Sequence, residues 1–302
     1  MPCRYNRVPE WAAWVWLNGR LVRGAEAVVS LFDRSFLMGD GLFETLRSVQ
    51  GRLFRLDRHL ARLEQGAALL RLSLPWNVKE LTEAIHRTIA ANSLSGAAVR
   101  LTVSRGVGPP GPGLGGAKAP LCVIAARPFA GYPEHWYDPG ATAIVSSIVK
   151  NDRSPLSGVK STSYLEHVLA RAESTDRGAD EALLLNTRGQ FAEGSSTNLF
   201  AVIDGRLVTP DVASGCLPGV TRESVLEIAR LTGMEVQEEP MSGSAWEMWD
   251  EAFLTNSLLA VAPLVRIDDR PVRGGLPGPM TLRLAQMYLD LVTRETSESP
   301  EV

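Results

Sequence analysis

Apolar and polar residues alternate, bunch and break along this chain so that two halves separate. From Ala13, WVWLNG reads as a strand closed by Asn18-Gly19, a dipeptide suited to a tight hairpin turn, and RLVRG reads as the return strand. Strand-like runs follow at Leu42 to Val49 and Leu53 to Leu56, joined at Gln50-Gly51. Asp57 then stands where an N-cap belongs, and Leu60, Leu63, Ala67 and Leu70 recur behind it at helical spacing. A second helix is predicted over roughly Val78 to Ala91, before the strand AAVRLTVSR. Residues 1 to 10 read as a loose leader.

Two breaks interrupt the pattern. GVGPPGPGLGGAKAP, residues 106 to 120, is too dense in Gly and Pro for helix or strand. It reads either as a disordered surface loop or as a flap over a site. After the strand LCVIAARPF, the stretch AGYPEHWYDPG is broken by Pro133 and Pro139 and reads as a connector. The boundaries expected are a smaller N-terminal α/β domain over 1–128, a connector over 129–140 and a larger C-terminal domain over 141–302. The second half opens on the strand ATAIVSSI, and a helix follows with the apolar stripe Tyr164, Leu165, Val168, Leu169 and Ala172, expected to fix its packed face. The strands ADEALLLN and FAEGSSTNLF, a helix after GCLPG, the strand DEAFLTN and a last helix near Pro279 to Arg294 complete the half, ahead of an acidic tail. The fold class predicted is mixed α/β, without internal repeats.

Composition bounds the classes. A length of 302 residues and 45% apolar content fit about two globular domains with a substantial core. Apolar runs such as Ala182 to Leu185 and Leu258 to Val265, the second interrupted by Pro263, fall far short of the roughly 18 residues that span a bilayer. Arg4 and Arg7 are followed by Pro9 and Glu10 where the apolar core of a signal peptide would lie. A net charge of -3 gives no reason to expect nucleic acid. Cys3, Cys122 and Cys216 are odd in number and scattered, which argues against a disulfide framework or a zinc site. A reducing cytoplasm fits best, and Cys122 in LCVIAA reads as a core residue.

Charge changes the picture at one place. Of 31 basic side chains only four are lysine (Lys79, Lys118, Lys150 and Lys160), so arginine serves wherever positive charge alone is wanted. Lys160, in the loop ahead of the Tyr164 helix, therefore points to amine chemistry, since an ammonium can lose its proton and a guanidinium cannot. Tyr164, one helical turn on, serves either as a phenol for an oxygen on whatever the lysine holds or as a half-buried core residue. Glu193 lies among apolar and small residues, where a carboxylate needs a partner such as a protonated ring nitrogen. Pro218-Gly219 before Val220 and Thr221 makes either a phosphate-binding helix start or a plain one with a Thr cap. Thr255, Asn256 and Ser257 end a strand with polar groups, and Arg62 could supply an anion contact from the other half. An amine, a carboxylate for a pyridinium, a phenol and a phosphate cup together match pyridoxal 5′-phosphate.

With these residues in place, the chain resembles the class IV aminotransferases, the pyridoxal-phosphate enzymes of fold type IV. GDGLFETLR, HLARL, KSTSYL, FAEGSSTNLF, LPGVTR and TNSLLAVAPL occur in family order, and the likeness runs from about Ala13 to the C-terminal helix. The resemblance implies two α/β domains with the cofactor at their interface and a homodimer whose partner loop helps close the site. It implies that Lys160 forms the internal aldimine, Tyr164 contacts the cofactor O3′ and Glu193 pairs with the pyridine nitrogen. Arg62, Val220, Thr221 and Ser257 would hold the phosphate, and Leu217 would pack on the ring. Phe43, Arg100, Asn256 and Leu258 are the substrate candidates. Arg100 stands in for a carboxylate-gripping arginine because the loop after SRG carries prolines instead.

Within the family, SPLSGVKSTSYL and FLTNSLLAVAPL look most like the 4-amino-4-deoxychorismate lyase branch. Branched-chain and D-amino-acid aminotransferases tend to carry Gly-Thr or Ser-Thr where this chain has Asn256-Ser257. The lead expectation is thus a lyase of folate synthesis forming 4-aminobenzoate and pyruvate. The alternative is a transaminase (branched-chain, D-amino acid or amine) acting with a 2-oxo acid. A non-catalytic pyridoxal-phosphate carrier is the remaining reading. A small-molecule amine is the partner expected, with neither nucleic acid nor membrane.

Overall fold

The computed structural model describes residues 13–117 and 119–297, so the expected leader and the end of the acidic tail lie outside the described residues. The chain divides into two compact units. The first runs to Ala130 and also takes in Lys160–Ser163, and the second comprises Gly131–Val159 and the chain from Tyr164 onward.

In the first unit the elements are β1 (Trp14–Leu17), β2 (Arg20–Arg23), α1 (Arg34–Met38), β3 (Gly41–Val49), β4 (Arg52–Leu53), α2 (Leu56–Leu70), α3 (Val78–Ala91), β5 (Ala97–Ser104) and β6 (Leu121–Pro128). The six strands form one antiparallel sheet in the order β2-β1-β6-β5-β3-β4. Asn18 and Gly19 take φ of 45° and 97°, the positive values a two-residue hairpin needs. Helix α2 packs on β3 through a face that buries Leu60, Leu63 and Ala67, as its spacing predicts. Asp57 is not its N-cap: Arg55, at φ 52°, takes that place, and Asp57 instead adds negative charge to the first turn. Helix α3 starts on a capping box between Asn77 and Glu80 and packs on β1, β5 and β6.

The Gly-Pro segment forms neither helix nor strand, yet its backbone is held. Arg34 does this from a buried position: its backbone N–H donates to the Gly106 carbonyl at 3.0 Å and its Nη1 to the Gly111 carbonyl at 3.0 Å. Asp40 anchors the Nε of Arg34 and of Arg105, each at 2.8 Å.

The second unit contains β7 (Ala141–Lys150), α4 (Leu165–Asp176), β8 (Glu181–Asn186), β9 (Gln190–Gly194), β10 (Asn198–Ile203), β11 (Arg206–Thr209), α5 (Val220–Leu231), β12 (Val236–Glu238), β13 (Met241–Ser242), β14 (Glu251–Asn256), β15 (Ala260–Ile267), β16 (Arg270–Pro271) and α6 (Pro279–Ser297). Its ten-stranded sheet runs β12-β11-β10-β14-β15-β7-β8-β9-β13, with β16 beside β15. Parallel pairing at β15/β7, β7/β8 and β11/β12 makes it mixed. Phe191, Leu199, Leu254, Leu264 and Trp249 belong to its main core, α4 covers β7 and β8, and α5 and α6 lie against β14.

Helix α4 departs from expectation. Its inward face is His167, Ala170 and Ser174, while Leu165, Val168, Leu169 and Ala172 point outward, Leu165 at 68% exposure. Periodicity marked an apolar face correctly, but the face turned to the sheet is the small and polar one. No described helix is long and apolar enough to cross a membrane.

Candidate active site

Lys160 is carried on an extended strap against the first unit's sheet. Its carbonyl accepts from the Phe43 N–H at 2.9 Å, Ser161 bridges Leu42, and the Thr162 N–H donates to the Gly41 carbonyl at 2.9 Å. The Thr162 hydroxyl donates to the Gly39 carbonyl at 2.7 Å. This close approach explains the first glycine of GDGLFETLR, and crowding from β5 explains the second. Gly39 is left-handed at φ 69°, and a Cβ there would collide with the Ser163 side chain; one at Gly41 would strike the Val103 carbonyl. Helix α4 begins only at Leu165, so Lys160 and Tyr164 are not neighbours on a helical turn as the spacing implied.

Phe43 is buried in β3, and two cations lie over its ring: the Arg100 guanidinium carbon 3.3 Å and the Lys160 Nζ 4.5 Å from the centroid. The structure thus brings together Lys160, Phe43 and Arg100. Arg62, on α2, makes a fork to Glu44, with Nε to Oε1 at 2.8 Å and Nη2 to Oε2 at 2.7 Å. His59 Nδ1 meets the same carboxylate at 2.7 Å. Burial alone would raise the Glu44 carboxyl, but the Arg62 charge and the His59 and Arg62 hydrogen bonds outweigh it and hold it down to about 2. Burial pushes the His59 ring below its ordinary value.

In the second unit Glu193 lies on β9, buried, with Oε1 accepting from Lys150 Nζ and Oε2 from the Leu217 N–H, both at 2.8 Å. Tyr164, just ahead of α4, stacks on His167 at 4.2 Å between centroids, and its hydroxyl donates to the Ser195 carbonyl at 3.2 Å. The turn that offers this carbonyl is pinned by Glu181, fully buried, which accepts from the Ser195 and Ser196 N–H groups and from the Ser195 and Thr197 hydroxyls.

Val220 and Thr221 open α5, whose N-cap Gly219 supplies no side-chain cap, so the first-turn N–H groups are presented by backbone alone. The Thr221 hydroxyl lies 3.4 Å from Tyr288. Asn198 holds the approach to the helix, donating to the Leu217 carbonyl at 2.8 Å. Asn256 braces the β14–β15 turn: Oδ1 accepts from the Leu258 and Leu259 N–H groups at 2.9 and 2.7 Å, and Nδ2 donates to the Ser196 carbonyl. Ser257 and Leu258 ride on that turn.

Lys150, His167, Glu44, His59 and Glu181 were absent from the sequence-based site. Lysine scarcity applies to Lys150 as strongly as to Lys160 and could have flagged it. The others carry no local signal, because each finds its partner across a sheet or between a helix and a strand.

A lysine strapped to one α/β unit and a buried carboxylate in a second α/β unit define an architecture of the fold type IV class. The family model for amino-transferase class IV matches residues 41–267, and the chain belongs to that family. It is 32% identical over 294 residues to the branched-chain-amino-acid aminotransferase of Pseudomonas aeruginosa, covering 95% of each chain. The crystal structure of the Escherichia coli branched-chain amino acid aminotransferase superposes with a TM-score of 0.89 at 30% identity, covering 96% of this chain and 98% of that one. The branched-chain amino acid aminotransferase of Thermobaculum terrenum, in its pyridoxal-phosphate holo form, gives 0.85 at 30% identity, again covering 96% of this chain and 98% of that one.

These relatives carry the name of the transaminase alternative, not of the lyase expected first. The lyase expectation rests on two short segments, SPLSGVKSTSYL and FLTNSLLAVAPL, whereas the likeness to the aminotransferases runs along 95% of the chain.

Proposed function

We propose that this protein is a pyridoxal 5′-phosphate-dependent aminotransferase exchanging the amino group of a branched-chain amino acid with a 2-oxo acid such as 2-oxoglutarate. The observation that carries the reading is the extent of the likeness, which runs through both units to proteins of that name. The residues fit the cofactor. The α5 N-terminus offers uncapped N–H groups suited to a phosphate, and each oxygen of the buried Glu193 carboxylate accepts a single hydrogen bond from protein, leaving lone-pair capacity for a ring N–H.

On this reading Val220, Thr221, Ser257 and Arg62 bind the phosphate. Leu217 packs on the ring, Tyr164 orients the ring oxygen and Glu193 accepts from the ring nitrogen. The bound cofactor supplies an electron sink for the electron pair left on the substrate α-carbon. Lys160 Nζ would take the proton from that carbon and deliver it to the cofactor carbon C4′ rather than back to the substrate, so that the amino group stays behind and a 2-oxo acid leaves. Arg100, over the Phe43 ring that Lys160 also approaches, receives a substrate carboxylate, and Asn256 and Leu258 border the substrate through their turn.

The test is a panel of L-leucine, D-alanine and an aryl amine, each with 2-oxoglutarate, together with 4-amino-4-deoxychorismate alone. Keto acid from L-leucine, lost in Lys160→Ala along with the visible absorbance of the bound cofactor, is the expected outcome. Formation of 4-aminobenzoate and pyruvate with no keto acid from any amino donor would reverse the choice between transaminase and lyase, the latter being the reading that Asn256-Ser257 favours.

A homodimer belongs to the same proposal. Two apolar surfaces support it: Leu165, Val168 and Leu169 on α4 of the second unit, and Val28, Val29, Leu31, Phe32, Phe36 and Leu37 in the first, all at least half exposed.

A further inference from the structure

Lys150 ends β7 at 6% exposure and is the buried lysine that the chemistry above leaves unused. Its Nζ lies 2.8 Å from Glu193 Oε1 and 2.9 Å from His167 Nε2. The protons in this cluster can be assigned from what each partner is able to do. The Ser195 carbonyl, 3.0 Å from His167 Nδ1, can only accept, so Nδ1 carries the imidazole proton. Nε2 of that neutral ring is then a lone pair, and it accepts from the Lys150 ammonium, which also donates to Glu193. With the amine, the more basic of the two groups, carrying the proton, every one of these contacts is satisfied. A doubly protonated His167 would set an N–H against the ammonium.

The cluster extends further. Tyr164 stacks on the His167 ring and donates to the same Ser195 carbonyl, so a continuous path runs from the Tyr164 hydroxyl through Ser195, His167 and Lys150 to Glu193. The Cys216 thiol, which also feels Glu193, is pushed up to about 12 mainly by burial and is therefore uncharged. Lys150 is thus the cation facing Glu193 within this cluster. An ammonium withdrawn from water is costly unless paired, and so is the carboxylate, so each holds the other in place.

We propose that Lys150 is a positioning residue for Glu193: its ammonium fixes the carboxylate in one rotation, shares its charge with whatever Glu193 faces, and through His167 and Ser195 ties that charge to the orientation of Tyr164. The inference rests on the reading that Glu193 accepts from the cofactor ring nitrogen. Under it, the ring meets a carboxylate already half neutralised, which weakens the negative field on the bound cofactor. Removing the ammonium while keeping the shape of the chain strengthens that field and makes protons on the cofactor harder to remove.

The experiment is a spectrophotometric pH titration of the holoenzyme in wild type, Lys150→Met, Lys150→Arg and Glu193→Gln, following the visible absorbance of the bound cofactor. Lys150→Met is expected to raise the midpoint by about 1 pH unit, the low end of the effect of a nearby opposite charge, and Lys150→Arg to restore it. An unmoved midpoint in Lys150→Met, with Glu193→Gln shifted, overturns the role of Lys150 and leaves the Glu193 assignment standing. Midpoints unmoved in both overturn the Glu193 assignment and the inference with it. If Lys150→Met does not hold cofactor, imidazole nitrogen NMR of the wild-type holoenzyme decides, aided by there being only four histidines. Nδ1–H with bare Nε2 at His167 supports the proposal, and a proton on Nε2 refutes it.

Discussion

Glu44 shows how much one side chain can set at neutral pH. Its folded carboxyl titrates at about 2 against an ordinary 4.5, so between these values the unfolded chain binds the extra proton. Its contribution is fully present above about pH 4.5, worth about 3 kcal/mol by the size of the shift, and is lost as pH falls toward 2. His59, displaced below 6.5, adds a loss in the same direction that begins nearer neutrality. Urea midpoints are therefore expected to fall from pH 7 to pH 3, and Glu44→Gln to start lower and follow a flatter profile. Equal slopes in wild type and Glu44→Gln would dissociate acid lability from this pair. Arg62 has two roles on this view. Arg62→Ala should weaken cofactor binding and also destabilise the cofactor-free protein by about 3 kcal/mol or more, because it strands a buried carboxylate. Calorimetry without cofactor separates these effects, and an unchanged melting temperature would leave Arg62 a ligand contact alone.

At the scale of elements, the strap that bears Lys160 and the loop that leads into α5 both depend on glycine for close approach. Gly39→Ala would need a left-handed backbone and displace Ser163, so it is expected to move the strap and cut turnover by at least tenfold while costing about 1 to 3 kcal/mol in stability. Full activity in that variant would show the strap to be tolerant. Gly219 keeps ordinary φ, yet a Cβ there collides with Asn198 Oδ1, the residue that holds the Leu217 carbonyl. Gly219→Ala should raise the dissociation constant for pyridoxal phosphate more than it lowers the melting temperature, measured by fluorescence titration and calorimetry. Most elements were legible in the sequence for local reasons: Asn18-Gly19 dictates a hairpin, the spacing of Leu60, Leu63 and Ala67 a helix, Pro218-Gly219 a helix start. Helix α4 was not. Its apolar stripe was visible, but which face turns inward depends on β7 and β8 and on partners such as Lys150 and Ser195, reached only through the fold.

For the whole molecule, the outward stripe of α4 and the exposed apolar run before α1 bear on assembly. Leu165→Glu with Leu169→Glu is expected to shift the protein from two copies to one in sedimentation velocity, with α-helical content retained. A monomeric wild type at micromolar concentration would remove the homodimer from the proposal. The sequence alone determined the two α/β halves and the family, because these rest on short-range periodicity and on motifs contiguous in the chain. Only the tertiary structure decided that Lys160 sits on a strap paired with β3, that Glu44 holds Arg62, and that Lys150 and His167 stand behind Glu193. Those pairings join residues up to more than a hundred positions apart, and the register of a sheet, not the spacing of residues along one element, brings such residues within hydrogen-bonding distance.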